Sequence, residues 1–97
     1  MKKLLQQLTE ASGPSGYEDN IRKIVQAEVK PLADEIKVDA LGSLIARKKP
    51  SQQSKDTKKI MIAAHMDEIG LMVSHVDENG FVRFSNIGGV FGKYVLG

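Results

Sequence analysis

Cysteine is absent from this sequence, and its absence excludes two kinds of site. No disulfide framework can form, and thiolates cannot hold a metal, so any metal site needs histidine and carboxylate ligands. A chain without disulfides also fits the reducing environment of the cytoplasm. We therefore predict a cytoplasmic protein.

Long hydrophobic runs are missing as well. The longest uninterrupted apolar run, residues 60–64, is far shorter than the roughly 20 residues that a membrane helix requires. Two lysines precede Leu4 and Leu5, but Gln6 and Gln7 interrupt the apolar stretch before a signal-peptide core can form. We therefore expect neither a secreted protein nor a membrane protein.

The size of the chain limits what it can do alone. Its 97 residues make one small domain at most, and such a chain buries only a modest fraction of its surface on folding. A composition of 41% hydrophobic and 27% charged residues is that of an ordinary globular segment rather than a disordered one. The final residues, 90–97, are mostly apolar and form no polar tail. The sequence thus predicts part of a larger protein, truncated before its domain is complete.

Two amphipathic helices are predicted in the first third of the chain. Their apolar residues recur at helical spacing, as Leu4, Leu5, Leu8 and Ala11 in the first and as Ile21, Ile24, Val25, Val29 and Leu32 in the second. The first helix should end before residues 13–14, which are glycine and proline. The second should start at Ser15, which forms a capping box with Glu18, and should finish near Lys30 because Pro31 follows.

Two β-hairpins are predicted beyond the helices. In the first, residues 36–38 and 43–47 flank the turn residues 39–42. In the second, residues 71–76 and 81–85 flank a polar turn that ends in glycine.

A polar loop and an apolar strand are predicted between the hairpins. Residues 48–59 contain no apolar residue except Pro50, which indicates a solvated loop. Residues 60–64 form a continuous apolar run, which is typical of a strand buried on both faces of a sheet. This run favours an α/β fold.

His65 and Asp67 are the strongest candidates for chemistry. They directly follow the predicted buried strand, and open α/β sheets bind their ligands at strand carboxyl ends. In an extended segment, residues two apart project to the same side, so the Asp67 carboxylate can orient the His65 ring as it does at catalytic zinc sites. Glu68 would add negative charge nearby. An ordinary hydrogen-bonded pair fits the same spacing. No second set of ligands accompanies the pair, and one histidine alone cannot hold a catalytic zinc.

Three motifs occur in the order that one peptidase family shows. They are residues 13–18 (GPSGYE), residues 39–44 (DALGSL) and residues 64–70 (AHMDEIG). Residues 77–81 (DENGF) and 87–89 (IGG) fit the same pattern. Together they resemble the opening third of the glutamyl and deblocking aminopeptidases, metallopeptidase family forty-two, some of whose members have been labelled cellulases or endoglucanases.

The resemblance implies a two-metal aminopeptidase. His65 would be the first ligand to a pair of divalent ions, usually zinc or cobalt, and Asp67 would be the catalytic carboxylate that supports it. The ions would polarise the scissile carbonyl and lower the pKa of a bridging water while N-terminal residues are removed from peptides. The other ligands and the general base would lie downstream, so we expect this chain alone to be inactive.

The family fold implied by the resemblance is a catalytic α/β domain interrupted by a smaller β-rich domain. Residues 1–70 would be the N-terminal part of the catalytic domain, which is zinc-peptidase-like with a mixed sheet. Residues 71–97 would start the inserted β-rich domain. The full-length protein would form homo-oligomers. Each piece would be incomplete here, and its unpaired strand edges would favour association with another chain.

Two other functions stay open at this point. A short chain of this kind could be a non-catalytic assembly or binding module. A carbohydrate hydrolase would need paired carboxylates across a sugar site, whereas the acidic neighbours Asp67 and Glu68 adjoin a metal-type histidine.

The second histidine and a basic cluster are not predicted to form sites. His75 lies in an alternating strand and should face solvent. The basic cluster consists of Arg47, Lys48, Lys49, Lys55, Lys58 and Lys59. It contains no aromatic residue on which a base could stack, so we expect it to promote solubility and predict no nucleic-acid partner.

Overall fold

The computed structural model describes residues 1–52, 56 and 58–92 as two helices and two small antiparallel sheets. The elements are helices α1 (Lys2–Glu10) and α2 (Asp19–Val29) and strands β1 (Glu35–Val38), β2 (Leu44–Arg47), β3 (Gly70–Val76) and β4 (Val82–Ile87). Strand β1 pairs with β2, and β3 pairs with β4. Residues 93–97 of the apolar end, and residues 53–55 and 57 of the predicted loop, lie outside the described residues.

The two predicted helices are confirmed, and α2 carries the small core. Ile21 is 5% exposed and is the buried hydrophobic residue of the described chain. Gly13, just after α1, packs so closely on it that an added Cβ would lie 2.6 Å from Ile21 Cγ2. A side chain at position 13 would collide with Ile21, so glycine is needed there. The close contact fixes the backbone of residue 13 against α2. Leu32, expected on the apolar stripe, lies beyond the end of α2 and is exposed.

The start of α2 differs from the predicted capping box. Its N-cap is Glu18, and no side-chain hydrogen bond caps the helix. The preceding residues form a turn instead, in which the Tyr17 N–H donates to the Pro14 carbonyl at 2.8 Å and Gly16 has a φ of 88°. The Glu18 carboxylate accepts from the Gly16 N–H at 2.8 Å. The capping-box prediction was wrong because this glycine turn separates Ser15 from the helix start.

The first hairpin forms as predicted, and a carboxylate organises its turn. Asp39 Oδ1 accepts hydrogen bonds from the backbone N–H groups of Leu41 (3.0 Å) and Ser43 (2.8 Å). Gly42 has a φ of 87°, which a glycine adopts without strain. These local interactions explain why the pattern of aspartate and glycine predicted the turn correctly.

The second hairpin is also confirmed, and an aspartate again accepts backbone hydrogen bonds in its turn. Asp77 Oδ1 accepts from the N–H groups of Asn79 and Phe81, both at 2.9 Å, and Gly80 has a φ of 85°. The register shifts between Val73 and His75, as in a β-bulge.

The apolar run 60–64 is not a strand in this structure. Its first three side chains are almost fully exposed, at 89% for Ile60, 89% for Met61 and 93% for Ile62. The prediction of a buried strand was wrong here because no described strand lies beside the run to supply hydrogen bonds and cover its faces. For the same reason the described residues form no mixed sheet.

None of the helices in the described part of the chain is long and apolar enough to span a bilayer.

Candidate functional site

The structure brings His65 and Asp67 together. His65 Nδ1 lies 3.1 Å from Asp67 Oδ1 and 3.0 Å from the Asp67 backbone oxygen. Because both neighbours are acceptors, these contacts favour the neutral tautomer that carries its hydrogen on Nδ1 and a lone pair on Nε2. The His65 side chain is 86% exposed, so Nε2 is accessible. A histidine in this tautomer can bind a metal through the lone pair of Nε2.

The pair borders a pocket of about 400 Å³. The pocket is lined by the N-cap and one inner side chain of α2, by the β1–β2 turn and by the segment that carries the pair, namely Glu18, Val25, Leu41, Gly42, Ser43, Leu44, Ala64, His65, Met66 and Asp67. All three sequence motifs therefore contribute to the lining of one pocket.

The part of the pocket wall that the β1–β2 turn forms is anchored by Arg22, which the sequence patterns did not reveal. Arg22 Nη1 donates to the Gly42 carbonyl at 2.6 Å, and Nη2 pairs with Asp19. The Arg22 side chain is only 15% exposed, and a Cβ at Gly42 would lie 2.6 Å from Nη1. Arg22 thus fixes the turn to α2. The only signal for it in the sequence was the glycine of the turn, which does not identify its partner.

The same turn carries a carboxylate with a perturbed pKa. The pKa of Asp39 lies below its ordinary value of 3.8, chiefly because the Ser43 N–H donates to the carboxylate. The Leu41 N–H, the Ser43 hydroxyl and the charge of Lys37 lower the pKa further, and desolvation opposes them. Hydrogen bonds to the charged form have this effect because they are lost on protonation.

We expect the pocket wall to loosen in acid. A carboxyl whose folded-state pKa is lowered contributes stability above its ordinary value of 3.8, and that stability is lost as the pH falls through the lower, folded-state pKa. Amide hydrogen exchange at Gly42 and Ser43, corrected for intrinsic rates, should therefore accelerate below pH 3.8. The Asp39→Asn variant should lose this pH dependence. An unchanged profile in that variant would assign the effect to Asp34 and Glu35, whose pKa values are also lowered.

Part of the basic cluster is paired with acidic side chains. Glu35 contacts Lys49 at 3.2 Å and Arg47 at 3.4 Å, and Lys48 lies 3.8 Å from Asp34. The pKa of Asp34 is lowered mainly by the backbone N–H of Lys49, and that of Glu35 mainly by the Lys49 side chain. These exposed pairs add little stability, and they neutralise part of the positive charge of the cluster.

Glu68, the residue predicted to add negative charge near His65, hydrogen-bonds to the backbone of Gly13. Its Oε1 accepts from the Gly13 N–H at 2.9 Å, and its own N–H donates to the Gly13 carbonyl at 3.0 Å. It is not among the residues that line the pocket. The carboxylate therefore joins two segments of backbone.

His65 and Asp67 fit part of a metal site but not a whole one. Within residues 1–52, 56 and 58–92, no group of three histidine or acidic side chains is placed to hold an ion. A catalytic zinc needs three protein ligands, so further donors must come from outside this set. His75 lies on β3 beside Arg83 and is exposed, as predicted.

Sequence comparison supports one family. Residues 42–97 match the family described as M42 glutamyl aminopeptidase. A putative aminopeptidase from Acetivibrio thermocellus is 54% identical over 87 residues, which cover 90% of this chain and 25% of that protein. The lysyl aminopeptidase of Pyrococcus furiosus is 47% identical over 94 residues, covering 96% of this chain and 26% of that enzyme.

Solved structures agree with the sequence comparison. The TET aminopeptidase from the marine sediment archaeon Thaumarchaeota archaeon SCGC AB-539-E09 matches with a TM-score of 0.86 and 36% identity, over 99% of this chain and 26% of that one. The dodecamer PhTET1-12s matches with a TM-score of 0.74 and 37% identity, over 94% and 26%. The chain thus spans about a quarter of the length of these relatives. It belongs to the M42 glutamyl aminopeptidase family.

Proposed function

We propose that this chain is the N-terminal quarter of a metal-dependent aminopeptidase and that His65 is one of its metal ligands. The observation that supports this most strongly is the contact of His65 Nδ1 with two oxygen atoms of Asp67, which leaves Nε2 available. The pair also lies within residues 42–97, the segment that matches the peptidase family.

Each residue of the pair has a distinct role in this proposal. His65 donates Nε2 to a divalent ion, and Asp67 holds the Nδ1 hydrogen, which fixes the ring and makes Nε2 a better donor. Two ions, zinc or cobalt, would bind in the complete enzyme and supply Lewis acidity and an acidified water. The proposal assigns the general base to the remaining three quarters of the protein and not to a residue that lines this pocket.

The substrate is proposed to be the free amino end of a peptide. The relatives named above are called aminopeptidases, one of them a lysyl aminopeptidase. We further propose a cytoplasmic homo-oligomer, since one structural relative is a dodecamer. Residues 1–70 would belong to the catalytic domain and residues 71–97 to an inserted β-rich domain.

The same proposal accounts for the exposed apolar run. Ile60, Met61 and Ile62 expose three adjacent apolar side chains, which a stable monomer of this size rarely does. In a chain about four times longer, further strands are available to cover them.

Peptide hydrolysis by the full-length protein tests this function. We expect release of the first residue from a peptide with a free amino end and no release from its N-acetylated counterpart. Chelation should abolish the activity, and added zinc or cobalt should restore it. Cleavage of both peptides at equal rates, or full activity after exhaustive chelation, would refute the proposal.

A further inference from the structure

Glu68 forms the link between the segment of His65 and Asp67 and the helical core. We propose that Glu68 is a positioning residue, which sets the location of the His65–Asp67 pair by holding the backbone of Gly13. The inference rests on the proposed function insofar as it concerns metal binding. It concerns a residue that touches neither the pocket nor, in the proposal, the ion.

The link consists of two hydrogen bonds between residues 55 positions apart. The Gly13 N–H donates to the Glu68 carboxylate at 2.9 Å, and the Glu68 N–H donates to the Gly13 carbonyl at 3.0 Å. Beside them, Pro14 and Glu68 form an isolated parallel bridge. The side chain thus completes a short piece of sheet in which the carboxylate replaces a backbone acceptor.

The Gly13 end of the link is rigid. Gly13 is buried, and Ile21 of α2 leaves no room for a side chain there. A second close contact lies at the other side of the crossing, where a Cβ on Gly70 would come within 3.1 Å of Pro14 Cβ. A segment tied to such a fixed point has little freedom to shift relative to α2.

The link is one peptide bond away from the His65–Asp67 pair. Glu68 directly follows Asp67, which contacts His65 Nδ1 through both its side chain and its backbone oxygen. The backbone oxygen of Asp67 belongs to the same peptide unit as the Glu68 N–H. Fixing that N–H on Gly13 therefore fixes the orientation of one of the two acceptors that hold His65.

Three substitutions of Glu68 distinguish the effect of side-chain length from the effect of charge. Glu68→Ala removes the acceptor, Glu68→Gln keeps an oxygen at the same reach without the charge, and Glu68→Asp keeps the charge but shortens the side chain. Glu78→Ala serves as the matched control, because Glu78 is an exposed glutamate in the turn between β3 and β4. Each variant is made in the full-length protein.

The readouts are the zinc dissociation constant, kcat, and hydrogen exchange at the amides of residues 13 and 68. We expect Glu68→Ala and Glu68→Asp to weaken zinc binding by about tenfold, the low end of the range for groups that support metal ligands. Glu68→Gln should stay within about threefold of wild type, since a neutral acceptor bonds less strongly than a carboxylate. Exchange at both amides should accelerate in the first two variants, and Glu78→Ala should match wild type.

The opposite order would overturn the proposal. If Glu68→Asp binds zinc normally while Glu68→Gln does not, the charge acts on the site directly. Unchanged zinc binding in Glu68→Ala would also overturn it, even with accelerated exchange, because the link would then be purely structural. If the wild-type protein binds no zinc, the proposed function fails. The link is then judged by amide exchange alone, and unchanged exchange in Glu68→Ala refutes it.

Discussion

Replacing His65 with alanine should reduce aminopeptidase activity of the full-length protein to below about one hundredth of wild type. Loss of a group that merely supports a metal ligand already costs roughly 10- to 100-fold, and loss of the ligand itself should cost more. The exposed position of His65 means that the fold should tolerate the change, because the ring buries little surface. Metal content per subunit should fall together with kcat.

His75→Ala is the matched control for this experiment. His75 is the other histidine of the chain, and it lies exposed on β3, away from the pocket lining. The His75→Ala variant should retain wild-type metal content and activity. Equal losses in both variants would indicate a general effect of removing histidine, and full activity in His65→Ala would disprove the ligand role.

Replacing Asp67 with alanine should weaken metal binding and kcat by roughly 10- to 100-fold, less than the loss expected for His65→Ala. The reason is that His65 Nδ1 has two acceptors on residue 67. Alanine removes the carboxylate at 3.1 Å but keeps the backbone oxygen at 3.0 Å, so the ring stays partly oriented. Titration with zinc and steady-state kinetics measure the two effects.

Asp67→Asn and a distant control refine this result. Asparagine keeps a side-chain oxygen near Nδ1 without the negative charge, so its loss should be intermediate. Asp56→Asn changes an exposed aspartate of the loop and should have no effect. An Asp67→Ala variant as inactive as His65→Ala, with its metal still bound, would assign Asp67 a direct role in the reaction rather than support of the histidine.

Local patterns correctly predicted the turns and the contact between His65 and Asp67. Asp39 and Asp77 bond to backbone N–H groups no more than four residues away, so the sequence contains the whole interaction. The same is true of His65 and Asp67, whose spacing of two residues brings them into contact. The helices were predictable because their apolar spacing reports directly on which face is covered.

Interactions between distant segments were not predictable in this way. The bond from Gly13 to Glu68 spans 55 residues, and the bond from Arg22 to Gly42 spans 20. Nothing in either local pattern identifies the partner. Each glycine signals a close approach, since a Cβ would collide, but only the structure shows with what.

The apolar run 60–64 failed as a prediction for a related reason. Its composition describes the environment that a strand needs, namely neighbours on both sides and cover on both faces. Those neighbours are not among the described residues, so Ile60, Met61 and Ile62 are exposed. Composition alone cannot show whether the required partners are present in the chain.

Native mass spectrometry of the protein expressed from its own gene tests the central claim most directly. Because these residues cover 25% of an aminopeptidase relative, the subunit should weigh roughly four times 10.6 kDa and should carry divalent metal ions. The number of ions per subunit should be lower in the His65→Ala variant. A subunit of 10.6 kDa, or a longer subunit whose metal content is unchanged by that substitution, would contradict the account.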